Sequence, residues 1–208
     1  MEQRSEEWFS QRAGRVTASA IYKVMAKVKA GEAADRRNYR AQLVAERLSG
    51  FCADSFSNAA MQHGIDTEPQ ARAAYEFLHG RPVVEMGFAD HPTIPMTGAS
   101  PDGLVGDDGL IEIKCPNTAT HIETLKGGKI DRKYIYQMHW QMICTGRKWC
   151  DFASFDPRLT EEMQLHVQRV DLDPELAAEI EEGVIAFLSE VDADVQKLTE
   201  LYLKKKAA

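Results

Sequence analysis

The sequence predicts an α/β fold, a small mixed β-sheet flanked by helices and closed by one long C-terminal helix, on three observations. Apolar residues recur at steps of three and four over most of the chain. Between Arg81 and Cys115 that spacing gives way to short β-rich pieces divided by turn residues. The third is length: 208 residues can bury one sizeable core but are short for two, so residues 1–208 are expected to form a single domain.

Taken in order, Ser5 is an N-cap for a short helix through Trp8 and Phe9 to Gly14, and a second helix is expected near Ala18 to Met25. Lys27 to Arg37, with Gly31, reads as a polar loop, followed by a helix over Asn38 to Leu48. The next helix should start at Asp66 or Thr67, which puts Pro69 in its first turn, where a missing N–H costs nothing. Strand pieces follow at Pro82 to Ala89, Met96 to Ala99, Gly103 to Val105 and Leu110 to Cys115. They are divided at His91-Pro92, Pro101-Asp102-Gly103 and Asp107-Asp108-Gly109, which predicts a small sheet built from hairpins. Helical spacing returns over Thr118 to Lys126 and Tyr134 to Thr145, and alternation over Trp149 to Phe155 and Met163 to Val170. From Pro174, with Asp173 as N-cap, one apolar stripe from Leu176 to Leu201 marks a long helix reaching the Lys204 region.

Composition narrows function without choosing it. The first residues are charged and no apolar run spans a bilayer, so a soluble, unexported chain is expected. Cys52, Cys115, Cys144 and Cys150 form no C-x-x-C pair and read as thiols. A net charge of −7 argues against a polyanion as partner, but it is unevenly spread. Residues 161–200 carry 12 acidic and 2 basic side chains, while Lys23 to Arg47 carries 7 basic and 3 acidic ones. A basic DNA-facing surface can therefore coexist with an acidic C-terminal third, which reads as a solvated helix face.

The chemically loaded stretch is Ser100-Pro101-Asp102-Gly103, followed by Glu112-Ile113-Lys114. On a strand Glu112 and Lys114 share a face while Ile113 turns to the core. A hairpin through Asp107-Asp108-Gly109 would return Asp102 to that same face. Magnesium takes hard oxygen ligands, and Asp102, Glu112 and the carbonyl of Ile113 make a credible set. Such an ion polarises a phosphate and acidifies bound water, which Lys114 can orient or deprotonate. Either piece alone is an ordinary feature, a charged strand or a Pro-Asp-Gly turn; order and spacing across one hairpin give the pair its meaning.

With those residues in place, GASPDGL followed by GLIEIKCP resembles the active-site core of the phage lambda exonuclease family, the YqaJ-like viral recombinases of the PD-(D/E)XK superfamily. Trp8 to Arg12, Thr17-Ala18-Ser19, Gly64 with Glu68, and Tyr134 with Gln137 resemble further family blocks. The resemblance implies a metal-dependent exonuclease that degrades one strand of linear double-stranded DNA from the 5′ end and leaves a 3′ overhang for recombination. It implies Asp102, Glu112 and Ile113 as metal ligands, Lys114 as base, and Glu68 beside the metal through water. Gln137 would hold the water or phosphate, and Arg12 and Ser19 the 5′-phosphate, with Ser19 near a helix N-terminus. Magnesium, as two ions that manganese can replace, is the expected cofactor. The expected setting is a homotrimer ring around DNA in the bacterial cytoplasm, encoded by a phage or prophage, with a single-strand annealing protein as partner. Thr120 departs from the pattern, which has a basic residue there. An iron–sulfur branch of this nuclease class uses four cysteines, but the lack of close pairs argues against it. The alternatives are another nuclease of the superfamily, an endonuclease or repair enzyme, and a catalytically idle DNA-binding module. His63 and His139 lie near these blocks but suit magnesium poorly and are left off the site.

Overall fold

The structure, a computed structural model, describes residue 3, residues 5–52 and residues 59–203. The chain opens with helix α1 (Glu6–Arg12), where the Trp8 N–H donates to the Ser5 side chain at 3.2 Å, as an N-cap should. Strand β1 (Val16–Thr17), a 3-10 turn (Ala18–Ala20) and α2 (Ile21–Val24) take the place of the second expected helix. Helix α3 (Ala34–Ser49) starts four residues before Asn38 and ends on Gly50 in the left-handed region, φ 76°.

Helix α4 (Ala59–His79) corrects the expectation more sharply. It begins well before Asp66, so Pro69 and Gly64 lie inside it. Proline there forfeits a helical hydrogen bond. Local propensity loses to tertiary packing, because Ala71 and Tyr75 of the same helix are buried against the central sheet.

Among the described residues the strands β2 (Val83–Val84), β3 (Ala89–Asp90), β4 (Thr97–Ala99), β5 (Gly103–Val105), β6 (Gly109–Lys114), β7 (Trp149–Phe155) and β8 (Leu165–Asp171) form, with β1, two mixed sheets instead of one. The smaller runs β1-β4-β3, the larger β2-β5-β6-β7-β8. The expected strand over Pro82 to Ala89 is divided between them, because its two ends find different partners: Val83 pairs with Val105, and Ala89 with Ala99. Hairpin pairing holds for β5–β6 and β7–β8, whereas β6 and β7 are parallel. A parallel pair needs a crossover, and α5 (Thr118–Leu125) and α6 (Arg132–Thr145) supply it.

The larger sheet is covered on both faces. Ile111, Ile113, Ala153 and Phe155 pack on α4; Leu110, Cys150 and Phe152 pack on Met138 and Met142 of α6. After a short α7 (Glu161–Gln164) and β8, helix α8 (Pro174–Leu198) lays Ile180, Val184, Phe187, Leu188 and Val191 against α2, α3 and Trp140. Each such burial contributes roughly 1.5–3 kcal/mol. The predicted stripe runs off the core at Leu198 and Leu201, which are exposed, and Lys204 lies outside the described residues. Asp173 caps α8 as expected, accepting from the N–H groups of Glu175 and Leu176. No described helix is long and apolar enough to cross a membrane.

Candidate active site

Residues 100–102 join the smaller sheet to the larger, leaving β4 and entering β5. Three side chains hold that link: Trp8 Nε1 donates to Ser100 Oγ at 2.9 Å, Gln3 Nε2 to the Pro101 carbonyl at 2.9 Å, and Arg72 to the Asp102 carbonyl at 3.4 Å. Gly103 follows because a Cβ there would meet Val83 of β2 at 2.1 Å. In the β5–β6 register Gly103 faces Ile111, so the next position sets Asp102 opposite Glu112. Strand alternation then puts both carboxylates on one face, with Lys114 beside them. Asp102 Oδ2 accepts the Ile113 N–H at 2.7 Å, and Lys114 Nζ is ion-paired with Glu112 Oε1.

Glu112, in the middle strand, is fully buried. It survives there as an acceptor: Gln137 Nε2 donates to Oε1 and Gln141 Nε2 to Oε2, each at 2.6 Å, from successive turns of α6. Gln137, which the resemblance assigns to water or phosphate, here donates to the Glu112 carboxylate. Gln141 was missed; the signal was a glutamine at i+4 from Gln137, on the same face of the helix.

Burial and the neighbouring Glu112 push the Asp102 carboxyl well above the usual carboxylate range, with Glu68 adding to the rise. Lys114 and the Ile113 N–H pull it back in part. Burial alone would lower Lys114, but Glu112 and Asp102 more than offset this and hold the ammonium above its ordinary value. Lys114 keeps 27% of its side chain exposed and lies 5.1 Å from the Tyr134 ring, at the mouth of the site. Burial also pushes the Cys115 thiol up to about 12, with Glu68 and Asp102 contributing, so it stays protonated.

A buried carboxylate, Glu112, and a half-buried one, Asp102, against one ammonium make an oxygen-rich acidic place that suits a hard divalent cation. Asp102, Glu112 and the Ile113 carbonyl are the donors that fit; that carbonyl shares a strand edge with the N–H that Asp102 grips. Among the described residues no set of three His, Cys, Asp or Glu side chains is gathered as a ready metal site. Glu68 is turned instead toward Arg72, 2.8 Å away, which also pairs with Glu85. His139 lies off the site, where its Nε2 accepts the Asp173 N–H at 3.2 Å. His63 is likewise off it, with its Nδ1 3.4 Å from the Thr67 hydroxyl.

Arg12 lies with its guanidinium 4.1 Å from the centre of the Trp8 ring, and Trp8 in turn holds Ser100. It is thus one side chain removed from the link that carries Asp102. Ser19 is exposed in the 3-10 turn, 3.5 Å from the Thr17 hydroxyl. The helix after it has four residues and Ala20 as its cap, a weak dipole for an anion. In the basic stretch, Arg36, Arg40 and Arg47 are paired with Glu190, Asp194 and Asp192 of α8, so these three arginines are engaged in holding α3 to α8.

Residues 7–148, more than half the chain, match the YqaJ-like viral recombinase domain. The chain belongs to that family. This YqaJ-like protein is 54% identical to LHK-Exo, an alkaline exonuclease from Laribacter hongkongensis, in two solved structures. The one in complex with dAMP superposes with a TM-score of 0.90 over 96% of this chain and 99% of that one. The other gives 0.87 over 98% of each. A phage-related exonuclease from Haemophilus somnus, at 16% identity and TM-score 0.69 over 88% of this chain and 96% of that one, shares the fold. The YqaJ-like chain thus has the fold of PD-(D/E)XK-type exonucleases. It is also 28% identical over 167 residues to an uncharacterized protein of Acanthamoeba polyphaga mimivirus, covering 73% of this chain and spanning 28% of that relative's length.

Proposed function

We propose that this protein is a magnesium-dependent nuclease that degrades one strand of linear double-stranded DNA from the 5′ end, leaving a 3′ overhang for recombination of the phage type. The observation that carries the reading is the convergence of Asp102, Glu112 and Lys114 on one face of the β5–β6 hairpin. Identity of 54% to an alkaline exonuclease over nearly the whole chain supports it.

Asp102, Glu112 and the Ile113 carbonyl would hold magnesium, as two ions in our proposal and replaceable by manganese, and Glu68 would lie beside them through water. When bound, the metal supplies Lewis acidity toward the scissile phosphate and its attacking water. Gln137 and Gln141 keep Glu112 oriented. Lys114, protonated while both carboxylates face it, orients water by donating to it. It can take a proton at Nζ only when the charge of those carboxylates is engaged elsewhere. Arg12, and with it Ser19, would receive the 5′-phosphate and, through Trp8 and Ser100, set the strand end in register with Asp102. The proposal extends to a homotrimer ring around DNA and a single-strand annealing partner in the cytoplasm of a bacterial host.

The test is digestion of linear duplexes with and without a 5′-phosphate, beside a closed circle, in magnesium. Loss of one strand from phosphorylated ends with the circle intact is the expected result. Cutting of the circle would make the protein an endonuclease of the same superfamily.

A further inference from the structure

We propose that Gln141 is a positioning residue that anchors Glu112 by its inner oxygen, Oε2, and so reserves Oε1 for the metal ion. The inference rests on the metal-nuclease reading above and assigns the two oxygens of its central carboxylate different tasks.

The two oxygens of Glu112 are held unequally. Oε1 receives Gln137 Nε2 at 2.6 Å and Lys114 Nζ, and both of those side chains are partly exposed. Oε2 receives Gln141 Nε2 at 2.6 Å, and Gln141 is wholly buried between the sheet and α6. An incoming cation can compete for Oε1, where Lys114 can swing away on its flexible stem. Oε2 lies against Gln141, which has no exposed surface of its own.

Gln141 also carries a cost that packing does not explain. Its Oε1 is buried without a hydrogen-bond partner, in a stretch of α6 where Met138, Trp140 and Met142 are also fully buried. A methionine of nearly the same shape would relieve that orphaned acceptor. What methionine cannot do is donate to Glu112. A neutral amide, unlike an arginine, holds the carboxylate's orientation without cancelling the charge a cation needs.

The experiment measures Mn2+ binding to the full-length protein without DNA, together with metal-free thermal unfolding, for wild type, Glu112→Ala and Gln141→Met. We expect wild type to bind, Glu112→Ala to lose binding, and Gln141→Met to bind about 10- to 100-fold more weakly. Its metal-free midpoint should be no lower than that of wild type, and excess metal should restore its turnover. If wild type and Glu112→Ala both fail to bind, the metal reading itself falls, and this inference with it. If wild type binds, Glu112→Ala does not and Gln141→Met matches wild type, only the role of Gln141 is overturned. Weaker binding that comes with a lowered metal-free midpoint also overturns it, since Gln141 would then be holding the fold. Should Gln141→Met not fold, the side-chain amide NMR signals of wild type decide. Titration with Mg2+ should move the Gln137 amide and leave that of Gln141 in place; equal movement of both overturns the assignment.

Discussion

Glu112 and Glu190 are both held by pairs of side chains on a neighbouring helix, and the pairs differ in charge. Glu112 faces Gln137 and Gln141 of α6 at 2.6 Å each, is fully buried, and among the described residues has Lys114 as its one ion-pair partner. Glu190 faces Arg36 at 2.7 and 2.8 Å and Arg40 at 2.6 Å on α3, with 40% of its side chain exposed. Amides satisfy a carboxylate without neutralising it, whereas a guanidinium fork does both. The first arrangement stores a charge deficit beside Asp102 that a metal can fill. The second spends its charges on adhesion between two helices. Acidic residues alone thus say little about metals or DNA; the chemical class of the donors around them decides.

The largest effects should come from breaking the first arrangement. Asp102→Ala, Glu112→Ala and Lys114→Ala should each lower magnesium-dependent cleavage by more than about a hundredfold with the fold retained, read by gel digestion and circular dichroism. Substantial activity in any of the three removes the proposed site. Asp102 is held above its usual range by burial and by Glu112, so its ionised form is the disfavoured one in the fold. Its stabilising share is present below an ordinary aspartate value of about 3.9 and lost as pH rises through the raised one. Asp102→Asn should therefore unfold at higher temperature than wild type in EDTA near neutral pH, by roughly 2–4 °C per kcal/mol relieved, and should lose that part of the pH dependence.

Calcium sharpens the same contrast. It should fill the deficit and support DNA binding, but its looser shell should leave cleavage near background when binding and digestion are measured side by side. Efficient turnover in calcium would count against a magnesium-tuned site.

Arg12→Ala should be slower by roughly ten- to a hundredfold on 5′-phosphorylated duplex and little changed on 5′-hydroxyl duplex, the range expected for one charge-assisted contact. One common factor on both ends would assign Arg12 to supporting Trp8 instead.

The smallest effect belongs to the second arrangement. Glu190→Gln should lower stability by about 1 kcal/mol or less, and less again in high salt, with cleavage unchanged. Hydrogen bonds from Arg36, with those from Arg40, hold the Glu190 carboxyl below its ordinary range. Its share of stability is thus complete above about pH 4.3 and lost as pH falls through the depressed value. Urea unfolding at two salt concentrations and across acid pH reads both; a loss of activity would show that α3 and α8 bear on the site.

By itself the sequence determined the α/β class, the β5–β6 hairpin, the caps at Ser5 and Asp173, and the convergence of Asp102, Glu112 and Lys114. Each of these follows from local rules, strand alternation, turn residues and capping, that act over a few positions. Tertiary structure decided what local rules cannot reach. It carried α4 through Pro69, because packing of Ala71 and Tyr75 outweighs one lost hydrogen bond. It divided one β-rich stretch between two sheets, because pairing depends on partners far along the chain. It turned Gln137 and Gln141 onto Glu112 and matched the arginines of α3 with the carboxylates of α8. Charge and hydrogen-bond capacity are written residue by residue, but whether a group is spent or left over depends on which other group lies within about 3 Å of it. Only the folded chain sets that distance.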